Sequence, residues 1–154
     1  MALLHAGSRR DYRALCLWAP MHRVALFGEE SLRAFDERGS IESPLASGAT
    51  LRLDRDIIDD AREHGDELDI AAACSRISAP CFLVYGARDP LHTKGGRADL
   101  ERSLSHNLPK VEVIEKAGHA FGARHPLDQI RPVLNRALSD SVAWLGQQLG
   151  SFSR

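Results

Sequence analysis

Three short apolar runs are the feature that most restricts how this chain folds. Residues 13–20 form a continuous apolar segment closed by Pro20, residues 81–85 are a second run, and residues 111–114 are a third, Val-Glu-Val-Ile, in which one acid interrupts the apolar residues; the last two are each followed by a turn. Segments of this length that stay apolar on both faces are typical of strands in a parallel sheet, which helices cover on each side. We therefore predict about three parallel strands flanked by helices, an α/β fold.

Helices are predicted around these strands from the spacing of apolar residues and from residues that end helices. The predicted ranges are residues 2–6, 29–38, 53–64, 66–77, 97–106 and 131–149. Residues 40–50 are predicted to be rich in turns. In the last helix an apolar stripe is predicted to face the core, and it consists of Leu134, Leu138, Val142, Leu145 and Leu149.

Composition narrows the class of protein. The chain has 154 residues, which fits one domain, and its 20 basic and 21 acidic residues leave a net charge of −1. Such a balance argues against charge-driven binding to nucleic acid or to a membrane surface. No apolar run approaches the roughly 20 residues needed to span a bilayer, and residues 1–7 are too short for a signal peptide. Three cysteines cannot all pair, so we predict thiols in a reducing cytoplasm.

Two chemically active side chains follow two of the predicted strands. Asp89 comes after residues 81–85, and His119 comes after residues 111–114. Each has an ordinary explanation by itself, an Asp-Pro turn for the acid and a loop histidine for the base. Both, however, fall at the carboxyl end of a strand, where working residues of parallel sheets lie. We therefore predict that the carboxylate holds and orients the imidazole.

The segments around this pair resemble a known fold family. Residues 80–90, Pro-Cys-Phe-Leu-Val-Tyr-Gly-Ala-Arg-Asp-Pro, look like the seventh strand and acid turn of the α/β-hydrolase fold. Residues 111–122 resemble the eighth strand and histidine loop, and residues 118–126 are similar to serine hydrolases of the dienelactone-hydrolase and prolyl-oligopeptidase-like group. Residues 13–20 then match the sixth strand. The resemblance implies that residues 1–154 are a single C-terminal portion of such a domain.

The resemblance also implies roles and a gap. Asp89 would be the acid and His119 the base of a Ser-Asp-His triad acting on small ester-like substrates. No Gly-x-Ser-x-Gly occurs upstream of them in this sequence, so we expect the nucleophile to belong just before residue 1 and the chain to be inactive alone. Ser8, Ser31 and Cys16 lack a strand-turn-helix context and are not predicted to replace it.

Partners, cofactors and an alternative function complete the expectations. The strand at residues 13–20 would be an exposed sheet edge, which we expect to be covered in a homodimer or by a complementing chain. The alternative is a non-catalytic interaction module that uses this edge. No cofactor is expected. A zinc site is not predicted, because the spacing of His119 and His125 fits no metal pattern and His92 adds little.

Overall fold

The structure is a computed structural model that describes residues 1–23, 27–44, 49–92, 95–124 and 126–150. The chain divides into two compact units. One unit comprises residues 1–22 and residues from Ile70 onward, and the other comprises residues 23–69. The first unit contains both residues of the predicted pair.

The unit of residues 23–69 consists of two helices and a hairpin. Its elements are helix α2 (Glu29–Arg38), strand β2 (Ser40–Pro44), strand β3 (Thr50–Asp54) and helix α3 (Asp56–Glu63), and β2 pairs antiparallel with β3. Helix α2 agrees with the prediction, and Gly39 ends it in the left-handed conformation that glycine favours. The turn-rich prediction was wrong for residues 40–44 and 50, which lie in strands, and residues 45–48 lie outside the described residues; the helical prediction for residues 53–55 was also wrong. Pairing across the hairpin, a non-local interaction, decides this local structure.

The other unit is built on a three-stranded parallel sheet. Strands β1 (Leu15–Trp18), β4 (Cys81–Gly86) and β5 (Lys110–Ile114) lie in the order β1-β4-β5. The central strand β4 pairs in parallel with both neighbours, and all six of its residues are buried. The prediction of about three parallel strands flanked by helices is therefore confirmed.

Helices occupy both faces of this sheet. The remaining elements of this unit are α1 (Ala2–Ser8), α4 (Ile70–Cys74), α5 (Gly96–Ser103), a 3₁₀ turn (Ser105–Asn107) and α6 (Pro132–Gly150). Side chains of α1, α4 and α5 pack with Leu17, Leu83 and Tyr85 in one core cluster. Side chains of α6 pack with Phe82 and Val84 in a second cluster on the opposite face. Successive residues of β4 thus point to opposite faces, and both faces are covered.

The predicted apolar stripe of helix α6 was right for Leu134 and Leu145, which pack in the core, and wrong for its other three residues. The buried residues are Leu134, Ala137, Ser141 and Trp144, whereas Leu138, Val142 and Leu149 are exposed. Small side chains at 137 and 141 let the helix lie close to the sheet, and Trp18 Nε1 donates a hydrogen bond to Ser141 Oγ at 2.8 Å. The apolar spacing alone could not reveal this, because it does not distinguish a close packing face from a partly exposed one. Within the described ranges, no helix combines the length and apolarity that crossing a bilayer requires.

Candidate functional site

Strands β4 and β5 end at paired residues, and backbone hydrogen bonds connect the loops that follow them. Gly86 and Ile114, the last residues of the two strands, are paired in the sheet. Beyond them, Ala87 N donates to Ile114 O at 3.0 Å, and Arg88 N donates to Ala117 O at 2.8 Å. The pairing therefore extends from the strands into the two following loops. This fixes the loop that carries Asp89 against the loop that carries His119.

Gly86 is required for this close approach. A Cβ atom at this position would lie 2.5 Å from Ala117 O and 2.6 Å from Gly118 O. Atoms of real side chains do not come this close to backbone oxygens. The absence of a side chain at Gly86 is what allows the histidine loop to pass over the end of β4. The glycine three residues before Asp89 thus has a packing role that bears directly on the site.

The Asp89 carboxylate is completely buried and has partners on both oxygens. Leu91 N donates to Oδ1 at 3.0 Å, an Asx turn at Asp89-Pro90-Leu91. His119 Nδ1 lies 2.8 Å from Oδ2. The Asp-Pro turn and the functional interpretation therefore coexist, since the turn holds one oxygen while the other faces the imidazole. The structure brings the two predicted site residues into direct contact.

With Asp89 ionised, this contact selects one tautomer of the imidazole. An ionised carboxylate only accepts hydrogen bonds, so His119 donates through Nδ1–H and its lone pair lies on Nε2. The side chain of His119 is 52% exposed, whereas that of Asp89 is inaccessible. The pair thus combines a buried orienting acid with a base that solvent or a reactant can reach. This arrangement can take up and release a proton at Nε2.

Phe121 anchors the histidine loop to the core. Its ring is buried and lies 5.3 Å, centroid to centroid, from that of Trp18. Its φ of 51° is in the left-handed region that bulky residues rarely adopt, and Gly122 follows with a φ of 78°. The backbone cost of this bend is offset by burial of the aromatic ring. The anchor was not predicted from the sequence, although Phe121 lies only two residues after His119. His125, whose spacing from His119 was considered for a metal site, lies outside the described residues.

His92 is a third member of the site that sequence reasoning dismissed. Its side chain is 4% exposed, and its Nε2 lies 3.4 Å from Asp89 Oδ2. The ring packs edge-on against Tyr85 with centroids 4.7 Å apart. Burial lowers the pKa of His92, and the Asp89 carboxylate opposes part of that shift. The sequence offered only one cue, the position of His92 three residues after the acid.

A solvent-open cleft of about 470 Å³ adjoins His92. Its lining includes Tyr85 and Gly86 from the end of β4, together with His92, Arg97 and Val113. The carboxyl edge of the sheet therefore offers both an accessible imidazole and a neighbouring concave surface, as ligand sites of parallel α/β sheets do.

Comparisons with known proteins identify the class of fold first. No protein-family profile and no curated protein sequence matches the chain. Comparison with solved structures shows that the chain has a partial α/β-hydrolase fold. The match that supports this is Est1E from Butyrivibrio proteoclasticus, with a TM-score of 0.62 and 14% sequence identity. It covers 97% of this chain and 57% of that protein, so the chain spans just over half the length of Est1E.

Two further solved structures match over most of this chain. The esterase domain of a Rhodothermus marinus protein has a TM-score of 0.49 and 16% identity, and the match covers 99% of this chain and 55% of that one. E-2-(Acetamidomethylene)succinate hydrolase also has a TM-score of 0.49, with 15% identity over 92% of this chain and 62% of its own.

Proposed function

We propose that the chain is the C-terminal portion of a serine hydrolase of the dienelactone-hydrolase and prolyl-oligopeptidase-like type, acting on small ester-like acyl substrates. In this proposal Asp89 is the triad acid and His119 the triad base. The observation that carries it is the 2.8 Å contact between the buried Asp89 carboxylate and His119 Nδ1 at the carboxyl ends of adjacent parallel strands. The partial α/β-hydrolase fold supports the same function by analogy.

The chemistry of the pair follows from its tautomer. When a serine hydroxyl attacks an acyl carbonyl, its proton passes to Nε2 of His119, and the new bond forms between serine oxygen and acyl carbon. The imidazolium is stabilised by the Asp89 carboxylate, which keeps its charge because the proton stays on the imidazole. His119 then gives that proton to the leaving alcohol as the ester bond breaks. Water repeats the sequence to release the acid and restore the serine.

The nucleophile and the oxyanion donors are proposed to come from polypeptide outside this sequence. Strand β1 pairs with β4 along one edge and has no other strand partner among the described residues. Beside this edge lies an apolar hollow of about 180 Å³, lined in part by Leu3, Leu17 and Trp18. An apolar sheet edge of this kind favours pairing with a further strand. We propose the preceding part of the hydrolase as its occupant, because Est1E is almost twice as long as the match.

The test of the catalytic proposal starts with the DNA upstream of the Met1 codon. We expect an in-frame strand followed by Gly-x-Ser-x-Gly, and the extended protein should hydrolyse p-nitrophenyl acetate. In the extended protein, His119→Gln and Asp89→Asn should each lower kcat by about 10³-fold or more. His64→Gln, a change to an exposed histidine of the other unit, is the matched control and should retain full activity.

Three results would contradict the proposal. These are an upstream frame without the nucleophile turn, an extended protein whose activity survives His119→Gln, and rapid turnover by the present chain alone. The last is unexpected because nucleophile and oxyanion donors supply most of the rate of acyl transfer. A partner that binds the β1 edge equally well after Asp89→Asn and after His119→Gln would instead support the alternative, a non-catalytic interaction module.

The edge proposal has a separate test. Light scattering after size exclusion should show self-association of the present chain at micromolar concentration, and the extended protein should be less associated. A stable monomer of the present chain would refute the prediction that its edge requires cover.

The three cysteines occur as thiols, two of them buried, which supports our proposal of a reducing cytoplasmic environment.

A further inference from the structure

Three side chains that commonly bind metals converge at the carboxyl edge of the sheet. One candidate ligand atom from each of Asp89, His92 and His119 lies within 4.8 Å of the other two. A Ser-Asp-His relay uses the acid and one histidine, so it leaves His92 unexplained. Neither ring nitrogen of His92 makes a hydrogen bond of good geometry among the described residues, although the side chain is almost fully buried; the nearest polar groups are the Asp89 carboxylate, 3.4 Å from Nε2, and the backbone of Ala19. The imidazole of His92 is therefore less well hydrogen-bonded than buried polar groups ordinarily are.

We propose that Asp89, His92 and His119 form a binding site for a divalent transition metal ion of the zinc class. The candidate ligands are Asp89 Oδ2, His92 Nε2 and His119 Nδ1. This site needs only side chains of the present chain, so it does not depend on the proposed hydrolase function.

Two of the three distances between candidate ligand atoms are close to those around such an ion. Zinc binds imidazole nitrogen and carboxylate oxygen at about 2.0–2.2 Å, so tetrahedral ligands lie roughly 3.4 Å apart. Asp89 Oδ2 is 3.4 Å from His92 Nε2 and 2.8 Å from His119 Nδ1. A shift of about half an ångström in the exposed His119 ring would open the shorter distance. Asp89 needs no movement, because Leu91 N already holds its other oxygen.

The ligand set also selects the class of ion. Two imidazole nitrogens and one carboxylate suit zinc, copper, nickel and cobalt, whereas magnesium and calcium prefer oxygen ligands alone. One carboxylate partly neutralises the divalent charge in the buried part of the site. The 52% exposure of His119 leaves an approach from solvent and room for water as a further ligand.

Metal binding and the hydrogen-bonded pair exclude each other. In the pair His119 carries its proton on Nδ1, and the Nδ1 lone pair is needed to bind metal. On binding, that proton moves to Nε2 through solvent, and the Asp89–His119 hydrogen bond is replaced by two bonds to the ion. Nε2 is then an N–H donor, and it no longer accepts a proton from a nucleophile. The site therefore has a proton-relay state and a metal-bound state.

The test is titration of the purified chain with zinc by calorimetry and with cobalt by visible spectroscopy. We expect one ion per chain and the intense d–d absorption of low-coordinate cobalt. Loss of a direct ligand should cost at least the ~10–100-fold that loss of a supporting group costs, so His92→Gln and His119→Gln should each weaken zinc binding by at least that factor. His64→Gln is the matched control, because His64 also lies near two carboxylates but on the surface, with Asp60 at 3.8 Å and Glu67 at 3.7 Å.

Far-UV circular dichroism checks that each variant folds, and His119→Gln alters only a half-exposed side chain. A second readout is ring ¹⁵N NMR, in which zinc should shift His119 Nδ1 and His92 Nε2 selectively. Magnesium should give no response. The proposal is overturned if zinc does not bind saturably, if folded His119→Gln binds it unchanged, or if His64→Gln removes the binding. None of these results bears on whether upstream polypeptide supplies a nucleophile.

Discussion

Replacing Gly86 by alanine should push the loop that carries His119 away from the end of β4 and from Asp89. The added Cβ would lie 2.5 Å from Ala117 O, 2.6 Å from Gly118 O and 2.8 Å from Ala117 C. All three atoms belong to the backbone of the histidine loop, so no flexible side chain can move aside. Ordinary contact begins near 3.4 Å, which requires the loop and β4 to separate by about 0.6–0.9 Å.

The expected loss of unfolding free energy in Gly86→Ala is about 1–3.5 kcal/mol. Overpacking a tight site costs about 1–3 kcal/mol, and the Arg88 N to Ala117 O hydrogen bond, worth about 1 kcal/mol, is strained by the same movement. Alanine also restricts the unfolded chain more than glycine does, and this offsets the cost by about 0.4–1 kcal/mol. If the displacement reaches His119, its Nδ1 moves from 2.8 Å to about 3.4–3.7 Å from Asp89 Oδ2, beyond a good hydrogen bond.

The assay combines urea unfolding with proton NMR of the His119 Nδ1–H. We expect Gly86→Ala to lower the free energy of unfolding and to lose the downfield, slowly exchanging Nδ1–H signal. Gly118→Ala, in the same loop, is the matched control, because a Cβ there meets nothing within 4 Å. Its stability should change by less than about 0.5 kcal/mol. A Gly86→Ala protein with wild-type stability and an intact Nδ1–H signal would refute the packing argument.

Three other outcomes are expected. Trp144→Ala should lower the free energy of unfolding in urea by about 3–5 kcal/mol, because the buried Trp144 ring packs against Phe82. Val142→Ala should lower it by less than about 0.5 kcal/mol, because Val142 is 69% exposed. Iodoacetamide at pH 8 should leave Cys81 unmodified in mass spectra until the protein is unfolded, because burial raises the pKa of this thiol to about 11. Stability should fall as pH rises from about 9 toward 11, because the unfolded Cys81 thiol loses its proton there while the folded one retains it; burial also raises the pKa of Tyr85, with the same sign. The packing argument would be contradicted by equal unfolding curves for the two helix variants, and the burial argument by labelling of native Cys81. The pH argument would be contradicted by a stability that does not change over this pH range.

The sequence was sufficient for the parallel sheet and for the pair at its edge. Apolar runs of strand length predict buried strands, because a strand covered on both faces needs apolar side chains at consecutive positions; β4 fits this fully, whereas β5, with Glu112, is only partly buried. The equivalent positions of Asp89 and His119 after two such runs were then enough to predict that they meet. The hairpin of β2 and β3 could not be predicted in this way, because its strands are mostly exposed and pairing, not composition, stabilises them.

What the sequence alone determined, therefore, is the set of parallel strands and the acid–histidine pair at their ends. Only the tertiary structure decided which face of α6 packs on the sheet, why Gly86 must be glycine, and that His92 lies beside Asp89. These features depend on distances between segments far apart in the chain, to which local periodicity is insensitive. His92 is buried next to the same carboxylate oxygen that faces His119, and His119 follows a different strand.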